Sequence, residues 1–328
     1  MKITQATQLS NQILMKLGFR EEEATLITQN LIEAELVEKK THGLIRLPAI
    51  SNNVKSGGVQ VSNEDIELIS EHPASLHFNA KYKPGFYALY KSLGQAIEKV
   101  KQSGIVAVGI KDLAYASGYI GDYARRAAEQ DLIFIGFNNS PGGLVPHGTT
   151  KGIWGTDPIT FGIPSQTIPV ILDMASSRTT WGNIMVSKVE GRQLEEGLAI
   201  DSEGNMTVDP AKAMEGGILP IAGHKGSGLA FIVELLGGGL SHSRVGEAVE
   251  GGWGSFYLLL DPTMFRDLNE FKSDVQKAID ELKSAPKAPG VKEIFFPGEQ
   301  SYYKRKSNLE KDEITVSDKL MVELEKLK

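Results

Sequence analysis

Hydrophobic positions near the N-terminus recur at helical spacing. Leu9, Ile13, Leu14 and Leu17 share one face of a helix predicted over Gln8–Leu17, which stops at Gly18. Ala24, Ile27, Leu31 and Ala34 mark a second helix over Glu21–Lys39, with acids in its first turn and lysines in its last, as the helix dipole favours. A short helix follows around Leu44–Val54 and ends at Gly57-Gly58. Strand-like pieces come next at Ile66–Ser70 and Ser75–Asn79. Beyond them a helix over Gly85–Lys101 alternates with a buried β-branched strand over Ile105–Ile110, then a helix over Tyr119–Gln130 with a strand over Leu132–Phe137. That alternation predicts an α/β or α+β core.

From Asn138 to Pro169 the chain is rich in Gly, Pro, Thr and Asn and reads as loop. Val170–Asp173 is a short strand, and Glu195–Glu215 is polar and reads as exposed. Gly252–Leu260 is a strand and Phe271–Ser284 a helix. The proline-rich run Lys283–Val291 links this core to Ile294–Phe296 and a final helix over Ser317–Leu327.

The run Leu219–Ser241 passes from Gly223-His224-Lys225-Gly226-Ser227-Gly228 into an apolar segment of helical length. A helix start offers unpaired N–H groups and partial positive charge, and glycines let a ligand approach, so this stretch can seat a phosphate. It also fits a plain helix entry with a solvated lysine. No GxxxxGK[ST] and no complete GxGxxG occurs, so neither a Walker loop nor a Rossmann fingerprint carries the site.

Composition narrows the field. The chain has 328 residues, 41% hydrophobic and 23% charged, which is ordinary globular usage and excludes a disordered chain. A net charge of −6 argues against nucleic acid as the main partner. The chain has no cysteine, which removes disulfides, thiolate nucleophiles and iron–sulfur clusters. The start, MKITQATQLSNQ, has no apolar core of a signal peptide, and no apolar run is long enough to span a bilayer. A cytoplasmic protein is expected, without membrane association. No HExxH or clustered His/Asp/Glu set supports a metal.

Among the scarce histidines only His42 has an informative neighbourhood, Thr41-His42-Gly43-Leu44-Ile45-Arg46-Leu47-Pro48. Histidine moves a proton near neutral pH, and arginine holds a carboxylate in a two-pronged fork. If this stretch is helical, His42 and Arg46 share a face at i and i+4. A surface His and Arg beside a helix cap fits the same spacing. His147-Gly148 and Gly155-Thr156-Asp157-Pro158 read as turns, as does Pro297-Gly298-Glu299. Asp173 closes a strand in Leu172-Asp173-Met174-Ala175-Ser176, where it can bind a ligand or cap a helix.

Taken together, these pieces resemble the malate/L-lactate dehydrogenase family of NAD(P)-dependent 2-oxoacid reductases without a Rossmann fold. Thr41-His42-Gly43…Arg46…Pro48 matches its SHGxxRxP-like motif, and Pro146-His147-Gly148…Gly155-Thr156-Asp157-Pro158 its GTNP segment. Leu172–Ser176 matches LDMAT, Gly223–Leu236 matches GHKGSGLA…ELL, and Pro297-Gly298-Glu299 the late PGE. The resemblance implies a mixed, largely antiparallel sheet in a cofactor- and substrate-binding α/β domain over 71–291. A helical domain over 1–70, completed by 292–328, would be built from the chain ends. It also implies a homodimer with its cleft near the subunit interface.

By the same resemblance NAD or NADP exchanges hydride with a small carboxylate substrate, a 2-oxoacid or 2-hydroxyacid. His42 is the proton donor or base, and Arg46 holds the carboxylate. Asp173, Met174, Ala175, Ser176, His224, Lys225, Gly226, Gly298 and Glu299 contact the cofactor, while Thr156 and His147 line the substrate site.

Two departures stand out. Tyr115, in Lys111–Gly118, occupies the place of a loop histidine in many relatives, and a phenol is a poor base at neutral pH. Asp157 replaces the amide of GTNP, which removes donors and adds a charge unfavourable to an anion. Two other readings therefore stand beside the reductase: a cyclic imine acid reductase and a non-catalytic dinucleotide-binding homologue.

Overall fold

The computed structural model describes residues 1–328, the side chain of Glu250 excepted. Two helices open the chain. α1 (Ile3–Lys16) buries Ala6, Leu9, Ile13 and Leu14, and α2 (Glu21–Leu36) starts where Glu23 accepts the Arg20 N–H at 3.0 Å. A 3₁₀ turn (Lys40–His42) leads to α3 (Arg46–Lys55). The hairpin β1 (Glu67–His72) and β2 (Ser75–Asn79) enters the sheet, then α4 (Gly85–Ser103), β3 (Ile105–Leu113), α5 (Gly121–Ala128) and β4 (Ile133–Asn138) follow. β5 (Ile159–Ile163), β6 (Val170–Met174) and α6 (Trp181–Glu190) come next.

β7 (Ala199–Ile200), β8 (Met206–Thr207), α7 (Pro210–Glu215) and β9 (Gly217–Ile218) form a small annex. α8 (His224–Val233) widens into a π-helical segment over Glu234–Leu240, which returns to β10 (Trp253–Leu260). α9 (Leu268–Ser284), α10 (Glu299–Lys311) and α11 (Asp318–Leu327) complete the chain.

The main sheet has seven strands in the order β1-β2-β3-β10-β4-β5-β6. Only β2 and β3 run parallel; each other neighbouring pair is antiparallel. This is the mixed, largely antiparallel α/β sheet that the resemblance implied, with no doubly wound Rossmann order. β10, placed late in sequence, inserts at the centre between β3 and β4, and its alternate residues are buried. The chain ends meet: Ile314 N–H donates to Met1 O at 3.0 Å, and Arg305 clamps the Glu33 carboxylate from α10 at 2.7 and 2.9 Å.

Four segments differ from the sequence expectations. The stretch read as loop over Asn138–Pro169 contains β5, whose Gly162 reads as a strand breaker. That glycine is required by packing, because a Cβ there would collide with the Ala124 backbone of α5. Glu195–Glu215 is not simply exposed: Leu194, Ala199 and Ala213 join Ile184 and Ile218 in a small separate core. α6 was not anticipated by hydrophobic spacing. α10 follows what read as a turn at Pro297-Gly298-Glu299, and its residues are mostly polar.

Candidate active site

Loop ends and helix starts converge on a cavity of about 480 Å³. His42, Arg46, Tyr115, Thr156, Asp173 and Ala175 line it, so residues far apart in sequence meet on one wall. Lys39, Asn138, Asn139 and the first residues of α6, Trp181–Asn183, also line it and were not singled out from sequence. Nothing in the spacing of Lys39 marked it beyond a helix-end lysine.

His42 and Arg46 do not share a helix face, contrary to the i,i+4 expectation. The helical path breaks at Gly43, where ψ is −147°. The buried Glu35 carboxylate fills the space a side chain would need at that position, and it accepts the Leu44 N–H at 2.8 Å. His42 thus ends the 3₁₀ turn while Arg46 opens α3, and both still reach the cavity.

Their electrostatics are unequal. Burial, reinforced by the neighbouring Arg46 charge, pushes the His42 imidazole down to about 4, against a smaller upward pull from Asp173. His42 is therefore neutral at physiological pH. Its Nδ1 lies 3.0 Å from Thr41 Oγ1, and Nε2 has no hydrogen-bond partner among the described residues. With Nδ1–H donating to Thr41, Nε2 carries the lone pair.

Arg46 Nε donates to Thr41 O at 2.6 Å, which fixes the guanidinium and leaves its outer nitrogens available. Among the described residues no carboxylate pairs with Arg46. Its Cζ lies 5.9 Å from the centre of the Tyr115 ring. Tyr115 donates weakly to Arg46 O at 3.3 Å, and burial raises its phenol above the ordinary range, so it stays a donor. Asp173 is held by Lys39 at 2.6 Å and accepts the Gly121 N–H at 3.3 Å.

A second cavity of about 240 Å³ shares Lys39, Tyr119 and Asp173 with the first, and Gly298 lines it. Glu299 is buried, with its carboxylate engaged by Lys283 and by the Phe296 N–H at 3.3 Å. Met174 closes β6 opposite Ile159, and Ser176 is buried, its hydroxyl donating to Asp157 O at 2.6 Å.

His147, His224, Lys225 and Gly226 line neither cavity. They gather instead at the start of α8, where the His147 and His224 ring centres lie 6.0 Å apart and the His147 N–H reaches Ser227 Oγ at 3.1 Å. Among the described residues no group of acids and histidines is arranged to hold a metal.

The expected effect of Asp157 needs correction. Its side chain is fully buried and does not line the cavity, and desolvation together with the facing Glu234 holds its carboxyl well above the usual carboxylate range. It therefore presents no negative charge to a ligand.

A largely antiparallel sheet without the doubly wound Rossmann order, carrying a neutral imidazole beside an arginine paired with no carboxylate among the described residues, defines a class of non-Rossmann α/β proteins. The chain belongs to the malate/L-lactate dehydrogenase family, matching its pattern over residues 1–325. It is 32% identical over 324 residues to the malate/(S)-sulfolactate dehydrogenase of Methanothermus fervidus, across 96% of this chain and 93% of that protein. To the (2R)-3-sulfolactate dehydrogenase (NADP(+)) of Chromohalobacter salexigens it is 32% identical over 276 residues, 81% of this chain and 82% of that one. The crystal structure of malate dehydrogenase from Entamoeba histolytica superposes with a TM-score of 0.95 at 25% identity, covering 100% of this chain and 96% of that one. Among the described residues no helix is long and apolar enough to cross a membrane.

Proposed function

We propose that this chain is an NAD(P)H-dependent oxidoreductase that transfers hydride between nicotinamide and a small 2-oxoacid or 2-hydroxyacid. The observation that carries the reading is the unpaired Arg46 beside a neutral His42 in one cavity. The two adjoining cavities give an elongated dinucleotide room at both ends, with Asp173 and Lys39 at their shared wall. Gly298 belongs to the outer end, while Glu299 is buried, lines neither cavity and has its carboxylate already engaged. Relatives at 30% identity or more that cover most of the chain are malate and sulfolactate dehydrogenases, which supports the dehydrogenase reading over a cyclic imine reductase or a non-catalytic homologue.

Bound nicotinamide supplies or accepts the hydride at the substrate carbon. Arg46 fixes the substrate carboxylate through its outer nitrogens, and Tyr115, kept protonated, donates nearby. In hydroxyacid oxidation neutral His42 takes the hydroxyl proton at Nε2; in oxoacid reduction it returns one to the carbonyl oxygen. A substrate carboxylate on Arg46 offsets the positive charge that depresses His42, so binding makes the imidazole easier to protonate. Thr156 lies on the same wall, while His147 lies with Lys225 and His224 at the start of α8.

The exposed apolar residues of α8 and the segment after it, Leu229, Phe231, Ile232, Leu235 and Leu240, support a homodimer formed through this face. From Leu229 to Val233 the helix is apolar at every position, which a solvent-facing helix of a monomer does not need. A second copy there would also cover Lys225 and His224. The division into a helical unit of 1–70 with 292–328 and an α/β unit of 71–291 follows from the same reading, supported by α10 packing on α2 and α11 on α1 and α3.

Binding titrations of NADH and NADPH, run beside turnover on a panel of 2-oxoacids, test the proposal. Turnover with one cofactor is the expected result; no binding of either cofactor would refute it.

A further inference from the structure

Beneath the floor of the larger cavity two carboxyl groups face each other with little else to satisfy them. Asp157 is fully buried, and neither of its oxygens has a hydrogen-bond partner. Glu234 is buried at the switch from α- to π-helix, and its Oε1 also lacks one. Glu234 Oε2 accepts the Gly246 N–H at 2.8 Å and the Asn139 side-chain amide at 3.3 Å.

The groups around the pair include no cation among the described residues. Asp157 faces Glu234, and the backbone N–H groups of Ser140 and of Asp157 itself lie close without completing a hydrogen bond to it; Glu234 faces Asp157, Gly246 and Asn139. Arg244, which meets Asn139, offers its carbonyl to it at 2.8 Å and turns its guanidinium to the Tyr82 hydroxyl at 3.3 Å. Three buried carboxyl oxygens without a donor are costly, and two adjacent carboxylates more so. One proton between the two groups turns one of these oxygens into a donor to another and halves the buried charge, which removes the repulsion.

What the pair holds is the cavity itself. Asp157 lies between Thr156 and Pro158, both on the cavity wall. Thr156 O accepts the Ser176 N–H at 2.8 Å and Asp157 O the Ser176 hydroxyl at 2.6 Å, so the end of β6 hangs on this turn. From the other side Glu234 holds Asn139, another lining residue, whose Oδ1 accepts the Gly254 N–H at 2.8 Å.

We propose that Asp157 and Glu234 share one proton, and that this proton fastens the turn at Gly155–Pro158 to the π-helical segment, keeping the cavity floor in its cofactor-binding shape. Both are positioning residues. The second half of the proposal rests on the cofactor reading of the cavity; the first does not.

Above the pH at which the shared proton leaves, two carboxylates repel across the floor and cofactor binding weakens. A carboxyl raised in the folded state stabilises the fold fully below its unfolded pKa and loses that contribution as pH rises toward the folded value. Asp157→Asn supplies a permanent amide donor to Glu234, and Glu234→Gln supplies one to Asp157.

The experiment compares the full-length protein with both variants. Three results are expected. An infrared carbonyl band of a protonated buried carboxyl is present near neutral pH and absent from Asp157→Asn. The melting temperature of the variants rises relative to wild type as pH is raised from about 5 to about 9. The wild-type Kd for NADH or NADPH weakens roughly tenfold over that range, an ordinary coupling, while the variants stay flat. Absence of the band, or a wild-type pH dependence in either folded variant, overturns proton sharing. A pH-independent wild-type Kd overturns its link to the floor. If wild type binds neither cofactor, the cofactor reading and that link fall together, and the infrared and melting results alone decide the shared proton.

Discussion

Two regions of this molecule invite a functional reading, and they behave differently. Gly223–Gly228, with its glycines, histidine and lysine before an apolar helix, is the more conspicuous in sequence. In the folded chain Lys225 and His224 are exposed and line neither cavity. Thr41–Arg46 is plain by comparison, yet it delivers a neutral imidazole and an unpaired guanidinium to the main cavity. The difference teaches that how conspicuous a stretch is in sequence and whether the folded chain brings it to a cavity are separate properties. A charge left without a partner inside a cavity is an unmet demand for a ligand, whereas an exposed lysine is already satisfied by water.

The comparison can be broken most decisively at His42. Replacing it with alanine is expected to lower kcat by about 100- to 10,000-fold, the usual worth of general acid–base catalysis, with cofactor Kd unchanged. Steady-state kinetics beside a binding titration would check this, and equal losses in both would point to a collapsed wall. Arg46→Lys keeps the charge and loses the fork. KM for a carboxylate substrate should rise on the order of tenfold or more, with kcat less affected. Lys225→Ala should weaken cofactor binding only about fivefold or less, as an exposed charge does. A loss as large as that at Arg46 would mean that a second copy brings the α8 start into the cavity.

The pH profile sharpens the same contrast. With His42 down at about 4, kcat/KM for hydroxyacid oxidation should hold steady through neutral pH and fall only as pH drops toward that value. An acid limb near the ordinary histidine value instead would show that the imidazole is not desolvated in the free enzyme.

Much of the scaffold is legible in sequence because its helices and central strands carry clean periodicities. The buried run Ile105–Ile110 and the strand Gly252–Leu260 are read close to their observed limits as β3 and β10. Their side-by-side pairing is not, since pairing between residues so distant leaves no local mark. β5 was hidden by Gly162, a residue chosen for the approach of α5 rather than for strand propensity. α10 was hidden by its polarity, its partners being arginine–glutamate contacts instead of an apolar stripe.

At the site, His42, Arg46 and Asp173 are legible as chemically suited residues, and Lys39 is not, because its ion pair with Asp173 exists only after folding. Asp157 shows the opposite limit. Its acidic side chain reads as added charge, but full burial against Glu234 favours its uncharged form.

The most direct test of the central claim is kcat/KM for a 2-oxoacid against its methyl ester, measured with the preferred reduced cofactor in wild type and Arg46→Lys. The account predicts a strong wild-type preference for the free acid that shrinks on the Arg46 substitution. Equal rates on acid and ester in wild type, or a preference untouched by the substitution, would contradict a carboxylate held by Arg46 beside His42.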